Sequence, residues 1–287
     1  MKKLTFLLAL ILLTFSCEND DSMTPVVAPE VIAEFKINLS ELNLFTGSLN
    51  VLNSTPLAYE YTLNSTLFTD YSQKQRIIAL PKNTAMQYNG DGLPIFPDNT
   101  VIAKTFYYNL DERDLSVGKQ IIETRLLIKI NGLWETGNYK WNEDHTDAIL
   151  DLNASTIPVS WIDINGQSNS TNYEIPSNNQ CFTCHRTDVI KHPLGIKLRS
   201  LNLTINGTNQ LQDLKDNGLL VGLADVSNIS VLPKWDDSFN YSLEERGRAY
   251  MDINCAHCHA EGGYCEAQSP LRLNFETSFD DSNISSQ

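Results

Sequence analysis

Two short motifs of cysteine and histidine are the residues of this sequence best suited to chemistry. Each has two cysteines separated by two residues and followed directly by a histidine: Cys181, Cys184 and His185 in CFTCH, and Cys255, Cys258 and His259 in CAHCH. Two cysteines at this spacing can form thioether bonds to both vinyl groups of haem, and the adjacent histidine then lies under the iron. The pattern predicts two covalent c-type haems, with His185 and His259 as proximal iron ligands.

Three other uses of paired cysteines compete with haem attachment. A zinc ribbon usually has its pairs about 15–20 residues apart, whereas Cys184 and Cys255 are much further apart. A thioredoxin-like redox pair belongs in a βαβ unit, which the sequence does not show, and a disulfide across two residues is strained. None of these explains why a histidine follows both pairs in a chain with five histidines.

A six-coordinate c-type haem also needs a distal ligand, often methionine or histidine. The candidates within the chain are Met86, Met251, His145, His192 and His257. Core packing or a surface position is the simpler interpretation for the first four, and His257 reaches a haem only if the two haems lie close together. An open distal side at the first haem is therefore an alternative, and it would permit chemistry on a small ligand.

The composition indicates an acidic protein that is exported. Its formal net charge of −14 argues against a nucleic-acid partner, which requires a basic face. Lys2 and Lys3 precede the apolar run 4–15, which is typical of a secretory signal over residues 1–16 and too short for a permanent membrane span. Export agrees with c-type haem, which is attached outside the cytoplasm.

Cys17 directly follows this signal, and the start of the chain resembles a bacterial lipoprotein signal in which Cys17 would be lipidated. The chain has Thr14 where those signals usually have leucine, and a plain cleaved signal is the alternative. The polar residues 17–35 would form a tether. This resemblance implies a lipoprotein of the outer membrane or cell surface, with the periplasm as the alternative location.

The remaining chain predicts an α+β fold with an antiparallel β-rich N-terminal domain. Residues 36–190 contain successive β-branched and aromatic runs and end in the first motif. Asn131-Gly132 and Asn165-Gly166 are typical of two-residue hairpin turns. Residues 191–240 would connect this domain to a small helical segment, 241–287.

Two helices are expected in the second half of the chain. One covers about residues 210–220. The other, SLEERGRAYMDIN, begins with a capping box of Ser242 and Glu245. Leu243, Tyr250 and Ile253 would form its apolar stripe.

This second helix and its motif, EERGRAYMDINCAHCH followed by AEGG, resemble the opening of a class I cytochrome c domain. In that family a glycine and an aromatic residue, here Gly247 and Tyr250, let the first helix pack against a C-terminal helix. A β domain followed by the first motif more distantly resembles the β-sheet cytochromes called cytochrome c-prime-beta. Stretches such as LFTDYSQKQRIIALP and IPSNNQCFTCH resemble a bacterial family of di-haem c-type cytochrome-like lipoproteins with no assigned reaction.

The end of the sequence raises a further expectation. In class I domains a ligand methionine and a closing helix come well downstream of the motif, but few residues follow His259. We therefore expect that the cytochrome c-like segment is truncated; the alternative is a complete protein whose second haem is exposed or covered by a partner. Cys265 has no assigned role, and a free thiol or a pair with a cysteine beyond the present end both stay open.

Three functions follow as hypotheses. The first is an exported di-haem electron carrier that exchanges electrons with a redox partner protein and is attached to a membrane by its lipid. The second is a haem enzyme or sensor acting on nitric oxide, hydroxylamine or peroxide at the first haem. The third is a module whose β domain recognises a partner or glycan. Electron transfer is favoured over substrate turnover.

Overall fold

The computed structural model describes residues 28–278, 280–282 and 284. The expected signal sequence, Cys17 and the first part of the expected tether lie outside the described residues. Among the helices of the described part, none has the length and hydropathy needed to cross a membrane.

A six-stranded antiparallel sheet forms the centre of the fold. Its strands, in spatial order, are β1 (Ala58–Glu60), β2 (Gln73–Ala79), β4 (Val101–Asn109), β5 (Lys119–Ile130), β6 (Leu133–Trp141) and β7 (Ala148–Leu150). The short β3 (Met86–Gln87) is not part of this sheet; it pairs in parallel with β14 (Leu220–Val221) in a separate two-stranded sheet. The predicted antiparallel, β-rich character is confirmed.

Short hairpins and helices surround this sheet. The hairpins are β8 (Ser155–Ile162) with β9 (Ser168–Ile175), β10 (Arg186–Thr187) with β11 (Ile190–Lys191), and β12 (Thr204–Ile205) with β13 (Thr208–Asn209). The α-helices are α1 (Asn178–Cys184), α2 (Leu198–Leu201), α3 (Gln210–Asp216) and α4 (Leu243–Asn254). Single 3-10 turns are formed by Leu39–Leu42, Leu49–Val51, Leu115–Val117, Val226–Asn228 and Asp280–Ser282.

The local signals explain where several elements begin and turn. Asn131 and Gly132 connect β5 to β6 with φ values of 51° and 80°, the positive values that a tight hairpin turn requires. Asn165-Gly166 also lies in a hairpin, but five residues, 163–167, separate its strands, and of the two turn residues only Gly166 has a positive φ, 81°. The predicted two-residue turn is therefore confirmed only between β5 and β6.

The main sheet is covered on both faces. One face packs against the chain before β1, in a core that includes Leu39, Leu42 and Leu44. One half of the other face packs against residues 196–229, and the other half packs against the β8–β9 hairpin. The 191–240 segment, expected only to connect two parts, thus contributes a large share of the core.

Helix α4 packs against the preceding segment and the chain that follows it. Ala249 and Ile253 are buried with Leu232, and Leu67 and Phe275 pack on the same cluster. Leu243 of the expected stripe is 77% exposed, and Tyr250 is partly exposed. After α4, residues 255–278 form turns and extended stretches without a further helix.

Candidate cofactor site at the two cysteine–histidine motifs

The first motif lies on the short helix α1. Its start is capped by Ser177, whose backbone N–H donates to Oε1 of Gln180 at 2.7 Å. Cys181 and Cys184 are one helical turn apart, so their side chains lie on the same side of α1. His185 ends the helix, and its backbone N–H donates to the Cys181 carbonyl at 3.0 Å. The spacing of the motif therefore becomes a single compact turn.

The second motif is built at the C-terminal end of α4. The capping box predicted at the start of this helix is confirmed, because the Ser242 backbone N–H donates to the Glu245 carboxylate at 2.8 Å. At the other end, the Cys255 N–H donates to the Met251 carbonyl at 2.8 Å, and the His259 N–H donates to the Cys255 carbonyl at 2.9 Å. The cysteines of the first motif thus lie within a helix, whereas the second motif begins at the residue that caps α4 and continues through the turn that follows.

The fold brings the two motifs into contact. The Sγ atoms of Cys184 and Cys258 and a ring nitrogen of His257 all lie within 4.8 Å of one another. The Cys258 thiol also contacts the thiol of Cys265. No local sequence pattern indicates this contact, because the two motifs lie far apart along the chain.

A backbone contact supports the same arrangement. The Asp188 N–H, just after the first motif, donates to the Gly262 carbonyl at 2.7 Å. Gly262 has a φ of +71°, and a Cβ at this position would lie 2.7 Å from Cγ2 of Thr187. A larger residue at Gly262 would therefore push the two motif loops apart.

His185 has the protonation state that a metal ligand needs. Its Nδ1 lies 3.1 Å from the His192 carbonyl oxygen, and because a carbonyl can only accept, Nδ1 carries the proton. Nε2 then has its lone pair free. Burial, helped by the positive charge of Lys104, lowers the pKa of His185 to about 3, so the ring is neutral at ordinary pH.

His259 differs from His185 in its surroundings. Its Nδ1 is buried and has no hydrogen-bond partner among the described residues. A buried polar atom without a partner is uncommon in native proteins and calls for an explanation such as a missing ligand or water. The other motif histidine, His257, bonds the backbone at Ile253 with its ring, and burial lowers its pKa.

The motif cysteines are free thiols, as is Cys265. Burial raises the pKa of Cys181, Cys184 and Cys255, and raises that of Cys258 to about 12 together with the neighbouring thiols of Cys184 and Cys265. The thiols are therefore protonated at neutral pH. The described chain contains no disulfide at either motif.

Three of the distal-ligand candidates are engaged elsewhere. Met86 is fully buried in the core formed by the 196–229 segment. His192 contacts Oγ1 of Thr187 through Nε2 at 2.8 Å and the Pro193 carbonyl through Nδ1 at 3.1 Å. His145 lies far along the sheet, where its Nε2 accepts from the Ile121 N–H at 3.3 Å. Met251 stays on α4, and His257 belongs to the thiol cluster.

The residues present fit covalent haem at both motifs. Cys181 and Cys184 would hold one haem and Cys255 and Cys258 the other, while neutral His185 offers Nε2 to the iron. No described residue bonds Nδ1 of His259, so its tautomer is not selected in the way that the His192 carbonyl selects that of His185. Sequence reasoning missed the positive charges on the sheet beside the first motif, although strand alternation places Arg76, Lys104 and Arg125 on one face.

No family model, curated protein or solved structure matches this chain. A function is therefore proposed from the geometry of the two motifs.

Proposed function

We propose that this chain binds two covalent c-type haems and transfers electrons. The observation that carries the proposal is the contact between the motifs, where the Sγ atoms of Cys184 and Cys258 lie within 4.8 Å. Haems attached to neighbouring cysteines would themselves be neighbours, and closeness of two redox groups is what electron transfer within one protein requires. The haem irons would supply a one-electron couple tuned by axial ligand and burial.

The protein residues have separate tasks in this function. The motif cysteines retain the haems covalently; α1 sets the spacing of the first pair, and the turn after α4 sets that of the second. The bond from Nδ1 of His185 to the His192 carbonyl orients the ring and keeps Nε2 available. The contacts of Asp188 with Gly262 hold the two motif loops together.

The cellular setting is part of the same proposal. Covalent haem attachment agrees with export by the signal at residues 1–16, and lipid on Cys17 would place the protein at the outer membrane or cell surface. The partner would be a redox protein that delivers or accepts electrons. The α4 region would be the start of a cytochrome c-like domain, as its motif suggests.

A haem enzyme or sensor is the alternative use of the same groups. It is supported by the side chains of Met86, His145 and His192, which are all occupied by other contacts and would leave the first haem open to a small ligand such as nitric oxide, hydroxylamine or peroxide. Carbon monoxide binding and a high-spin signal that depend on Cys181 and Cys184 would favour it over pure electron transfer.

A second candidate function is binding of a thiophilic metal such as zinc. The clustering of Cys184, His257 and Cys258, with Cys265 against Cys258, supplies the sulfur and nitrogen donors of a structural zinc site. This cluster and the haem sites would use Cys184 and Cys258 in incompatible ways. The metal cluster does not include Cys181 or Cys255, so substitutions at these two cysteines distinguish the two candidate functions.

The deciding experiment is expression of the full chain with c-type haem attachment machinery, followed by intact mass and metal analysis. We expect a mass gain of two haems, loss of one haem in Cys181→Ala/Cys184→Ala, and loss of the other in Cys255→Ala/Cys258→Ala. Cys265→Ala is the matched control and should retain both haems. Bound zinc that is lost in Cys265→Ala but retained in Cys181→Ala, without a haem mass gain, would overturn the haem proposal.

A further inference from the structure

Three positive side chains lie directly opposite one another on adjacent strands of the main sheet. Arg76 of β2 pairs with Lys104 of β4, and Lys104 pairs in turn with Arg125 of β5. Because directly paired residues point to the same face, the three charges form one row across the sheet. Like charges in directly opposite positions destabilise a sheet, so this row opposes folding unless something compensates it.

A fourth cation joins the row around one aromatic ring. The Nζ atoms of Lys74 and Lys104 lie 5.8 Å and 5.9 Å from the centre of the Phe106 ring, and Cζ of Arg125 lies 4.5 Å from it. Lys74 is directly opposite Phe106 on the neighbouring strand. The cations therefore converge on a small area of one sheet face.

Among the described residues, only one of these cations, Arg125, forms an ion pair with a carboxylate. Glu123, whose side chain is fully buried, pairs with Nη2 of Arg125 at 2.5 Å. The same Oε1 also accepts from the Tyr173 hydroxyl at 2.7 Å. None of the ion pairs between described residues includes Lys74, Arg76 or Lys104.

Several buried polar atoms in and beside the row also lack a hydrogen-bond partner among the described residues. Nε of Arg76 and Nε of Arg125 are buried without a partner among the described residues, and so are both side-chain polar atoms of Asn138. Asn138 lies directly opposite Arg125 and is 1% exposed; Arg76 is 7% exposed. Donors buried in this way are costly, and in native proteins they usually indicate a ligand or water.

The row faces the first cysteine–histidine motif. Helix α1 lies against β6, where Oγ1 of Thr136 donates to Oδ1 of Asn178 at 2.7 Å. Thr136 is two residues from Asn138 on the same face of β6, because strand side chains alternate. Arg125 is also near enough for its positive charge to lower the pKa of both Cys181 and Cys184, against the opposite effect of burial.

We propose that Arg76, Lys104 and Arg125, together with Lys74 and Asn138, bind a carboxylate beside the first motif. Guanidinium groups suit this role because their planar donors match the two oxygens of a carboxylate. One source is a propionate of a haem held by Cys181 and Cys184, and this version rests on the proposed function. The other source is a dissolved small carboxylate, which requires no haem.

The first test uses the full chain with the first haem removed by Cys181→Ala/Cys184→Ala and sodium propionate as the probe. Ionic strength is kept constant with sodium chloride. We expect the melting temperature to rise with propionate and to saturate. Adding Lys104→Met should lower the propionate affinity about tenfold or more, the effect of losing one charge-assisted hydrogen bond.

Lys119→Met is the matched control for this test. Lys119 is also on the main sheet and its Nζ lies 5.0 Å from an aromatic centre, but that ring is Tyr107, which packs into the core on the opposite face. We expect this variant to keep the propionate response. Lys74→Met gives an independent second variant in case Lys104→Met does not fold.

The second test uses the chain with both motifs intact and distinguishes the two sources. If haem propionates occupy the row, added propionate leaves the melting temperature unchanged, and Lys104→Met lowers the midpoint potential of the first haem. If the ligand is dissolved, the intact chain responds to propionate as the first variant does. Either result supports the carboxylate site.

The proposal is overturned if two results occur together. Propionate changes the melting temperature of neither the intact chain nor the Cys181→Ala/Cys184→Ala variant, and Lys74→Met melts at the same temperature as the wild type. The proposal is also overturned if Lys119→Met removes the response as fully as Lys104→Met. If intact mass shows that the full chain carries no haem, that result refutes the proposed function but not the carboxylate site. The propionate titration of that same full chain would still decide the carboxylate site.

Discussion

At His185 one hydrogen bond determines which nitrogen is available to a metal. The His192 carbonyl accepts a hydrogen bond from Nδ1–H of His185, and burial keeps the ring neutral. The surroundings of Lys104 disfavour the charged form of its side chain. Burial, together with the positive charges of Arg76, Arg125 and Lys74, lowers the pKa of Lys104 to about 7.

Lys104 leads to a prediction about stability and pH. Its folded-state pKa of about 7 lies below the ordinary 10.5, although Glu123 raises it slightly. Between these values the unfolded chain binds more protons, so the free energy of unfolding should rise as pH increases through this window. Urea unfolding of Cys181→Ala/Cys184→Ala at pH 7 and pH 9.5 measures this rise.

Adding Lys104→Met to that variant should reduce the rise but not abolish it, because burial and neighbouring positive charges also lower the pKa of Lys74, to about 8. Lys234→Met is the control, because Lys234 is 58% exposed and pairs only with the exposed Asp236. A rise of equal size with and without Lys104 would contradict the prediction.

At the scale of elements, α4 is held in place by one buried carboxylate. Asp252 accepts from Nη2 of Arg199 at 2.9 Å, from Nζ of Lys197 at 3.1 Å and from the Phe275 N–H at 3.1 Å. The side chains of Asp252 and Arg199 are at most 1% exposed. These contacts join α4 to α2 and to the chain that follows the second motif.

Asp252→Asn should therefore lower the free energy of unfolding by about 3–5 kcal/mol, because it leaves the buried guanidinium of Arg199 with only the mostly exposed Glu276 as a carboxylate partner. Urea unfolding monitored by tryptophan fluorescence measures the change. Asp236→Asn removes an exposed carboxylate that pairs with Lys234 at 3.3 Å, and should change the free energy by about 1 kcal/mol or less. Equal effects of the two substitutions would show that Asp252 has no special structural role.

At the scale of the whole molecule, two distant parts of the chain form one site. Helix α1 follows the β8–β9 hairpin, whereas the second motif follows α4, and the intervening residues 196–229 return across the sheet to bring them together. The predicted consequence is a specific pairing of thiols when haem is absent. Cys184 should react with Cys258 in preference to its own motif partner, Cys181.

Mild oxidation of the full chain produced without haem attachment tests this pairing. Peptide mapping by mass spectrometry should recover a Cys184–Cys258 disulfide, and Cys265→Ser removes the thiol that competes for Cys258. Cys181 and Cys255 should stay reduced under the same conditions. Recovery of Cys181–Cys184 and Cys255–Cys258 instead would argue against the contact between the motifs.

Local sequence patterns predicted the elements that depend on neighbouring residues. The strands with β-branched and aromatic runs, the turn at Asn131-Gly132 and the capped helix α4 all formed as expected. The strand β9, Ser168–Ile175, is rich in serine and asparagine and has a weak strand preference of its own, which its pairing with β8 overrides. The packing of residues 196–229 was missed because it depends on a sheet formed much earlier in the chain.

The sequence by itself determined the chemistry of the candidate site, because the type and spacing of the cysteines and histidines lie within five consecutive residues. Only the tertiary structure decided that Cys184 meets Cys258, that a carbonyl selects the tautomer of His185, and that Arg76, Lys104 and Arg125 form one row. The physical reason is that strand register and chain return bring distant residues together, and no short stretch of sequence contains that information.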